Sequence, residues 1–315
     1  MTSTQLRTRP ARLSDEPLPP VDPSIPPWPG RTVRVNGGDL FVRTTPGDGE
    51  PALYVHGLGG ASTNWTDFAG LLSGRLAGEA VDLPGFGHSG PVPKRDYSIP
   101  GHARTIIAYL EQRGRGPVHL FGNSLGGAVV VVVAALRPDL VRTLTLVSPA
   151  MPWLRIRRGQ AAAMPLLLLP GLGTYAQRRV DAVPPERRAR DVIRLCFGDP
   201  SLVPPNRLAE ATEDMRRRAD LPWREEAFLA SFRGLVRSYA PGPGSLWARA
   251  AAIQAPTLVV WGDRDQLMPV VVAPRTAAAI PGARLLVLPG VGHVAQLEAP
   301  ETTARAVLAL LDDTR

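Results

Sequence analysis

A mostly parallel α/β sheet flanked by helices, with a helical insertion, is the fold class that the sequence predicts, and three observations carry it. Strand-like runs alternate with helical stretches after an initial hairpin, which favours parallel pairing through helical crossovers. The apolar run Val118-His119-Leu120-Phe121 enters Gly122-Asn123-Ser124-Leu125-Gly126-Gly127 and continues without a polar residue from Ala128 to Leu136. That is the pattern of a buried strand turning sharply into a buried helix. From Ala150 to about Leu246 strand signals stop, and short amphipathic stretches broken by proline take over. The chain therefore divides into an extended proline-rich arm (1–30), an α/β core (31–149 and 247–315) and a helical cap (150–246). The cap follows a strand, at the end of the sheet where sites form.

Taken in order, the arm holds eight prolines and little apolar periodicity, so it is expected to be extended. Thr32 to Val35 and Leu40 to Thr44 flank Asn36-Gly37-Gly38-Asp39, a hairpin signal. Ala52 to Val55 reads as a third strand running into His56-Gly57-Leu58-Gly59-Gly60. A helix is expected from Trp65 to Leu72, and a short strand from Glu79 to Val81 ends in Asp82-Leu83-Pro84-Gly85-Phe86-Gly87-His88-Ser89. Ser98 and Pro100 mark the start of a helix reaching about Gln112. After the central strand, turn and helix comes a strand from Thr143 to Val147. Val129 to Val133 have poor intrinsic helix propensity, but the Gly126-Gly127 pair allows close packing on a sheet, so a helix is still expected there. Beyond the cap, Pro256 to Trp261 and Arg284 to Leu288 read as strands, with helices near Val271 to Ile280 and from Pro300 to Leu311.

Composition narrows the function classes. With 315 residues and 44 % hydrophobic content the chain can bury a large core. Its longest apolar stretch is far shorter than the roughly 20 residues that span a bilayer, and residues 1–30 lack an apolar signal-like region; a cytoplasmic protein is the expectation. The single cysteine, Cys196, excludes an intrachain disulfide and a cysteine-rich metal site, and no metal or cofactor is expected. The formal charge of +8 rests on 35 arginines and one lysine, Lys94, and residues 150–246 hold 16 Arg against 10 Asp and Glu. No nucleic-acid motif accompanies this charge, so nucleic acid is not an expected partner; a weak contact of the basic cap with a membrane surface is.

Chemistry gathers at Ser124. A serine hydroxyl is a weak nucleophile near neutral pH and needs a base, which in turn needs a group to orient it and stabilise its cation. Candidates stand after the last two strands: Trp261-Gly262-Asp263-Arg264-Asp265, and Pro289-Gly290-Val291-Gly292-His293. The order Ser124, Asp265, His293 is a known order for this triad. Asp263 is the rival acid, read as a solvated or turn-capping residue. His56 and His88 read as structural hydrogen-bonders, and His102 and His119 as residues without a catalytic role.

Five motifs agree in order and spacing: His56-Gly57, Asp82 to Gly87, the Ser124 turn, Gly262-x-x-Asp265 and Gly292-His293. On them the chain resembles the α/β-hydrolase-fold enzymes with a helical cap, from Thr32 to Leu311. The resemblance implies Ser124 as nucleophile, His293 as general base and then acid, and Asp265 as orienting carboxylate. It also implies an oxyanion hole from the backbone N–H groups of Leu58 and Leu125. Haloalkane dehalogenases and epoxide hydrolases of this fold carry Asp where Ser124 stands, so hydrolysis of a carboxylic ester through an acyl-enzyme is the implied reaction. Gly-Asn-Ser-Leu-Gly-Gly is similar, too, to carbon–carbon bond hydrolases of aromatic ring-cleavage products. Against that reading, the loop after His56 lacks their longer Gly-Pro-Gly run and Val294 follows the histidine where they tend to carry Trp. A receptor-like protein with little turnover is a third alternative.

For the substrate, Trp65, Asn123, Met151, Trp153, Met268 and Val294 are the candidate pocket residues. Met164, Leu166 to Leu169, Trp223, Phe228 and Phe232 of the cap complete an apolar roof. Together they favour a small-molecule ester with an apolar acyl or alcohol group.

Overall fold

In the computed structural model of the chain, residues 8–153, 168–169 and 171–314 are described. The cap residues Met164, Leu166 and Leu167 lie outside them. Nine strands among the described residues form one sheet in the order β1-β9-β8-β7-β6-β4-β5-β3-β2. They are β1 (Arg9–Pro10), β2 (Gly30–Val35), β3 (Gly38–Thr44), β4 (Glu50–Val55), β5 (Leu76–Val81), β6 (Val118–Asn123), β7 (Val141–Val147), β8 (Thr257–Gly262) and β9 (Arg284–Leu288). β2 with β3 and β3 with β5 are antiparallel, and every other pairing is parallel. The mostly parallel α/β sheet flanked by helices is thus the observed fold.

The hairpin forms where Asn36-Gly37 predicts it. Both residues have positive φ, 49° and 79°, the two-residue turn whose twist matches the flanking strands. The arm is extended but not idle, because β1 adds a parallel strand at the edge of β9, in register Arg9↔Arg284. A two-residue pairing carries no periodic signal, so the sequence did not announce it. Further along, Ser14 N–H donates to Arg305 O at 3.0 Å and Trp28 Nε1 donates to Thr66 O at 3.0 Å.

Helices cover both faces: α1 (Thr66–Leu71), α2 (Ile99–Arg113), α3 (Leu125–Leu136), α8 (Leu246–Ala251), α9 (Ala273–Ala279), α10 (Ala295–Glu298) and α11 (Pro300–Asp312). Ser98 caps α2 by accepting from Gly101 N–H, with Pro100 in the first turn. α3 packs on the sheet and against α2 and α8, and Val129 to Val133 are all buried. Burial on all sides overrides the poor helix propensity of five consecutive valines. Two apolar clusters result, one around α3 with α2, α8 and α9, the other around Tyr54, Trp65, Phe68, Phe121 and α11.

Between β7 and α8 the described residues hold helices and no strand: α4 (Leu172–Asp181), α5 (Pro185–Cys196), α6 (Pro205–Ala219) and α7 (Arg224–Arg237). Pro185 and Pro205 stand at the first helical position, where the missing N–H costs nothing. α6 and α7 lie over loops of the sheet. Arg207 pairs with Asp67, Arg217 Nη1 donates to Gly87 O at 2.6 Å, and His102 of α2 bonds Ser231 of α7 at 3.0 Å.

Because β4 to β9 all run parallel to one another, the loops after β4, β5, β6, β7, β8 and β9 open at one end of the sheet, the C-terminal ends of the strands. What brings α3 close enough is glycine: a Cβ on Gly126 would sit 2.4 Å from both His56 O and Val55 O. Gly126→Ala is expected to destabilise the fold by about 2 kcal/mol or more, because backbone rather than a flexible side chain must yield. Urea unfolding checks this; a midpoint within error of wild type at an unchanged m-value would contradict it.

Candidate active site

Ser124 occupies the corner between β6 and α3 with φ 53° and ψ −117°, a sparsely populated conformation for a residue with a side chain. Its surroundings over-determine that geometry. Ser124 N–H donates to Val147 O at 3.1 Å, and Ser124 O accepts from Ala128 N–H at 3.1 Å and Ala150 N–H at 2.9 Å. The side chain is left half-buried at that end of the sheet, beside the first turn of α3, whose N–H groups favour negative charge.

His293 and Asp265 meet from the ends of β9 and β8. His293 Nδ1 lies 2.8 Å from Asp265 Oδ2, while Asp265 Oδ1 accepts from Leu267 and Met268 N–H, each at 2.8 Å. A carboxylate anchored by two backbone donors presents its other oxygen in a fixed direction, and the bond assigns the proton of a neutral imidazole to Nδ1. Nε2 then faces outward as an acceptor. It is buried and makes no hydrogen bond among the described residues, so the structure does not close the serine–histidine contact, which in free enzymes is often long. The rival Asp263 is elsewhere: its Oδ1 accepts from Gly290 N–H at 2.8 Å, the second of the two roles read from the sequence, solvated or turn-capping.

The loop after β4 lies against the serine. A Cβ on Gly57 would fall 3.1 Å from Ser124 Cβ, so the loop that carries Leu58 is packed against the serine turn. Two side chains set this loop. His56 Nδ1 donates to Gly57 O at 2.7 Å and its Nε2 accepts from Leu83 N–H at 2.9 Å. Arg218 of α6 donates to Gly59 O. Burial lowers the His56 pKa to about 4, against the opposing charge of Asp82, which keeps the ring neutral. Asp82 braces the next loop, accepting from Ser62 N–H at 2.6 Å and His88 N–H at 2.7 Å.

Several candidate pocket residues take other places. Trp65 is a correction: it is fully buried among Tyr54, Phe68 and Phe121, since the helical turn that carries it packs down onto the sheet. Asn123 acts as a brace, its Nδ2 donating to Val147 O and His293 O, both at 3.1 Å. Met151, Met268 and Trp153 join the apolar cluster around α3, Trp153 from its margin. Val294 is buried next to the histidine, and Phe228 reaches Gly59 of the serine-side loop. His119 bonds Thr143 and Glu50, away from the site. Arg218 and Glu298 were missed; nothing distinguishes one arginine of sixteen or a helix-end glutamate in the sequence.

The comparisons agree with this architecture. A family model described as the α/β hydrolase fold matches residues 51–300, and the chain belongs to that family. The acetyltransferase component of the acetoin cleaving system of Pseudomonas putida is 33 % identical over 84 % of this chain; the chain spans 64 % of that relative's length. A 2-hydroxy-6-oxononadienedioate/2-hydroxy-6-oxononatrienedioate hydrolase of Pseudomonas putida is 28 % identical, covering 89 % of this chain and 96 % of the relative. A monoacylglycerol lipase of Xenopus laevis is 28 % identical over 86 % of this chain and 77 % of its own length. Among solved structures, the meta-cleavage product hydrolase of Pseudomonas fluorescens IP01 shares the fold at a TM-score of 0.74, with 21 % identity, 91 % of this chain and 98 % of that chain covered. What the family and these relatives share with the chain is the α/β hydrolase fold. No helix among the described residues is long and apolar enough to cross a membrane.

The buried histidines give stability a pH dependence. Burial lowers the pKa of His56 to about 4 and, with the nearby His56 as a lesser cause, that of His102 to about 3, whereas the unfolded chain titrates near 6.5. Between these values the unfolded state holds more protons, so stability is full above about pH 6.5 and falls as pH drops toward 4 and 3. Denaturant unfolding across pH 7 to 4 is expected to show this loss. His102→Gln, which keeps a partner for Ser231 but cannot ionise, is expected to make the slope shallower; an unchanged slope contradicts a neutral buried His102.

Proposed function

We propose that the protein is a serine hydrolase that cleaves carboxylic esters carrying an apolar acyl or alcohol group. The observation that carries this reading is the 2.8 Å contact of His293 Nδ1 with Asp265 Oδ2 at the same end of the sheet as the strained Ser124. In the reaction His293 Nε2 takes the Ser124 proton as Oγ attacks the ester carbonyl, and Asp265 stabilises the imidazolium. The oxyanion is met by Leu58 and Leu125 N–H. His293 then protonates the leaving alcohol, and water activated by the same nitrogen hydrolyses the acyl-enzyme. The lipase relative supports the ester as substrate, and the apolar residues Val294 and Phe228 near the two catalytic loops suit an apolar group.

A second reading, cleavage of a carbon–carbon bond in a ring-cleavage dienone acid, is supported by the relative of that class matched along 96 % of its length. It is supported as well by Asn123 beside the nucleophile. p-Nitrophenyl acetate, butyrate and octanoate, assayed beside such a dienone acid, separate the two. Ester turnover is expected to dominate and to fall about ten-thousand-fold or more in Ser124→Ala. Faster consumption of the dienone acid overturns the ester assignment; ligand-induced stabilisation without turnover of either overturns the enzyme reading in favour of a receptor.

A further inference from the structure

The loop that carries His293 is not built by the sheet alone. Its backbone is seated on the segment that follows α5, in the helical stretch between β7 and α8. His293 N–H donates to Cys196 O at 2.6 Å. Glu298, the last residue of α10, accepts three backbone hydrogen bonds from two segments about a hundred residues apart. Gly292 N–H at 2.6 Å and Gly198 N–H at 3.0 Å share Oε2, and Asp199 N–H at 2.7 Å meets Oε1. Backbone meets backbone here: a Cβ on Gly198 would fall 2.1 Å from Gly290 O, and one on Gly292 would fall 2.3 Å from Cys196 O. The neighbouring Asp265 loop is tied to the same helix end, since Gln266 Nε2 donates to Arg194 O at 3.2 Å.

We propose that Glu298 is a positioning residue for His293, acting by locking the peptide before the histidine to residues 196–199. The proposal rests on the reading of His293 as the base. Asp265 holds only one ring nitrogen, Nδ1; where the ring swings from is set by its backbone, and among the described residues that backbone has three holds. These are Cys196 O on its N–H, Asn123 Nδ2 on its carbonyl, and Glu298 on the preceding N–H. Only the Glu298 hold is charge-assisted, which makes it the strongest kind of the three. A carboxylate is also the one side-chain group that accepts at both oxygens and so collects three donors at once; an amide in its place turns an N–H toward an N–H. Misplacement of a catalytic group by about 1 Å costs on the order of a hundredfold in rate, so loosening this junction acts on catalysis before it acts on binding.

Glu298→Gln keeps the shape of the side chain and tests this. With p-nitrophenyl butyrate, kcat is expected to fall about ten- to a hundredfold while KM stays within about threefold. The second measurement uses a p-nitrophenyl phosphonate that titrates the serine: its rate of reaction is expected to fall in step with kcat, with an end point of one equivalent per chain. Gly198→Ala attacks the junction from the other side and is expected to give the same split, and the double variant is expected to be no worse than the more damaged single one. An unchanged kcat in Glu298→Gln overturns the proposal. A reduced titration end point at an unchanged rate overturns it too, since the effect would then be lost folded protein. His293→Ala serves as reference: if it retains turnover, the reading of the base fails and this inference with it. If His293→Ala is inactive and Glu298→Gln is not, only the role of Glu298 fails.

Discussion

The contact on which the rest depends is the seating of α3 on the carbonyls of Val55 and His56 at Gly126, where no side chain fits. It fixes the distance between the end of β4 and the start of α3, hence between the loop holding Leu58 and the turn holding Ser124. The strain at Ser124 persists because three backbone hydrogen bonds oppose its relaxation. Local strain of order 1–3 kcal/mol is thereby offset by burial spread over α3 from Leu125 to Ala134.

A second organising feature is how the helices between β7 and α8 take part in the site. Asp214, Arg217 and Arg218 lie on one face of α6 and reach Thr63, Gly87 and Gly59, while the end of α5 touches the His293 loop. A basic surplus that in the sequence suggested an anionic partner is thus partly spent on carbonyl oxygens of the loops after β4 and β5. Arg207 is spent instead on two carboxylates, Asp67 of α1 and Glu210 of its own helix. Charge counted along a chain does not distinguish guanidinium groups that face solvent from those that cap a neighbouring backbone.

Much of the architecture was legible because it has a period or a punctuation mark. The Asn36-Gly37 turn, the Ser98 cap and the Gly-flanked serine each belong to a short pattern with a physical cause, and the structure has them at those positions. Asp265 against Asp263 was readable only through spacing, and the geometry separates them by what each oxygen accepts. Trp65 misled because an aromatic near a catalytic loop has the same sequence signature whether it turns toward a ligand or down onto Tyr54 and Phe121. Glu298 was illegible for a different reason. Its partners are backbone N–H groups, which every residue but proline has, so no residue type marks the junction.

The extended arm bears on the sheet's open sides. A parallel sheet of this kind exposes unpaired N–H and C=O groups at its outer strands, which invite pairing with other chains. At β9 that row is met by β1, whose second residue, Pro10, has no N–H to offer the next strand. The opposite edge is β2, where Arg31 and Arg34 are largely exposed and paired with Glu79 and Asp39. A proline at one margin and paired charges at the other are features that oppose edge-to-edge association, so the sheet is guarded at its rims while the candidate site lies across its strand ends.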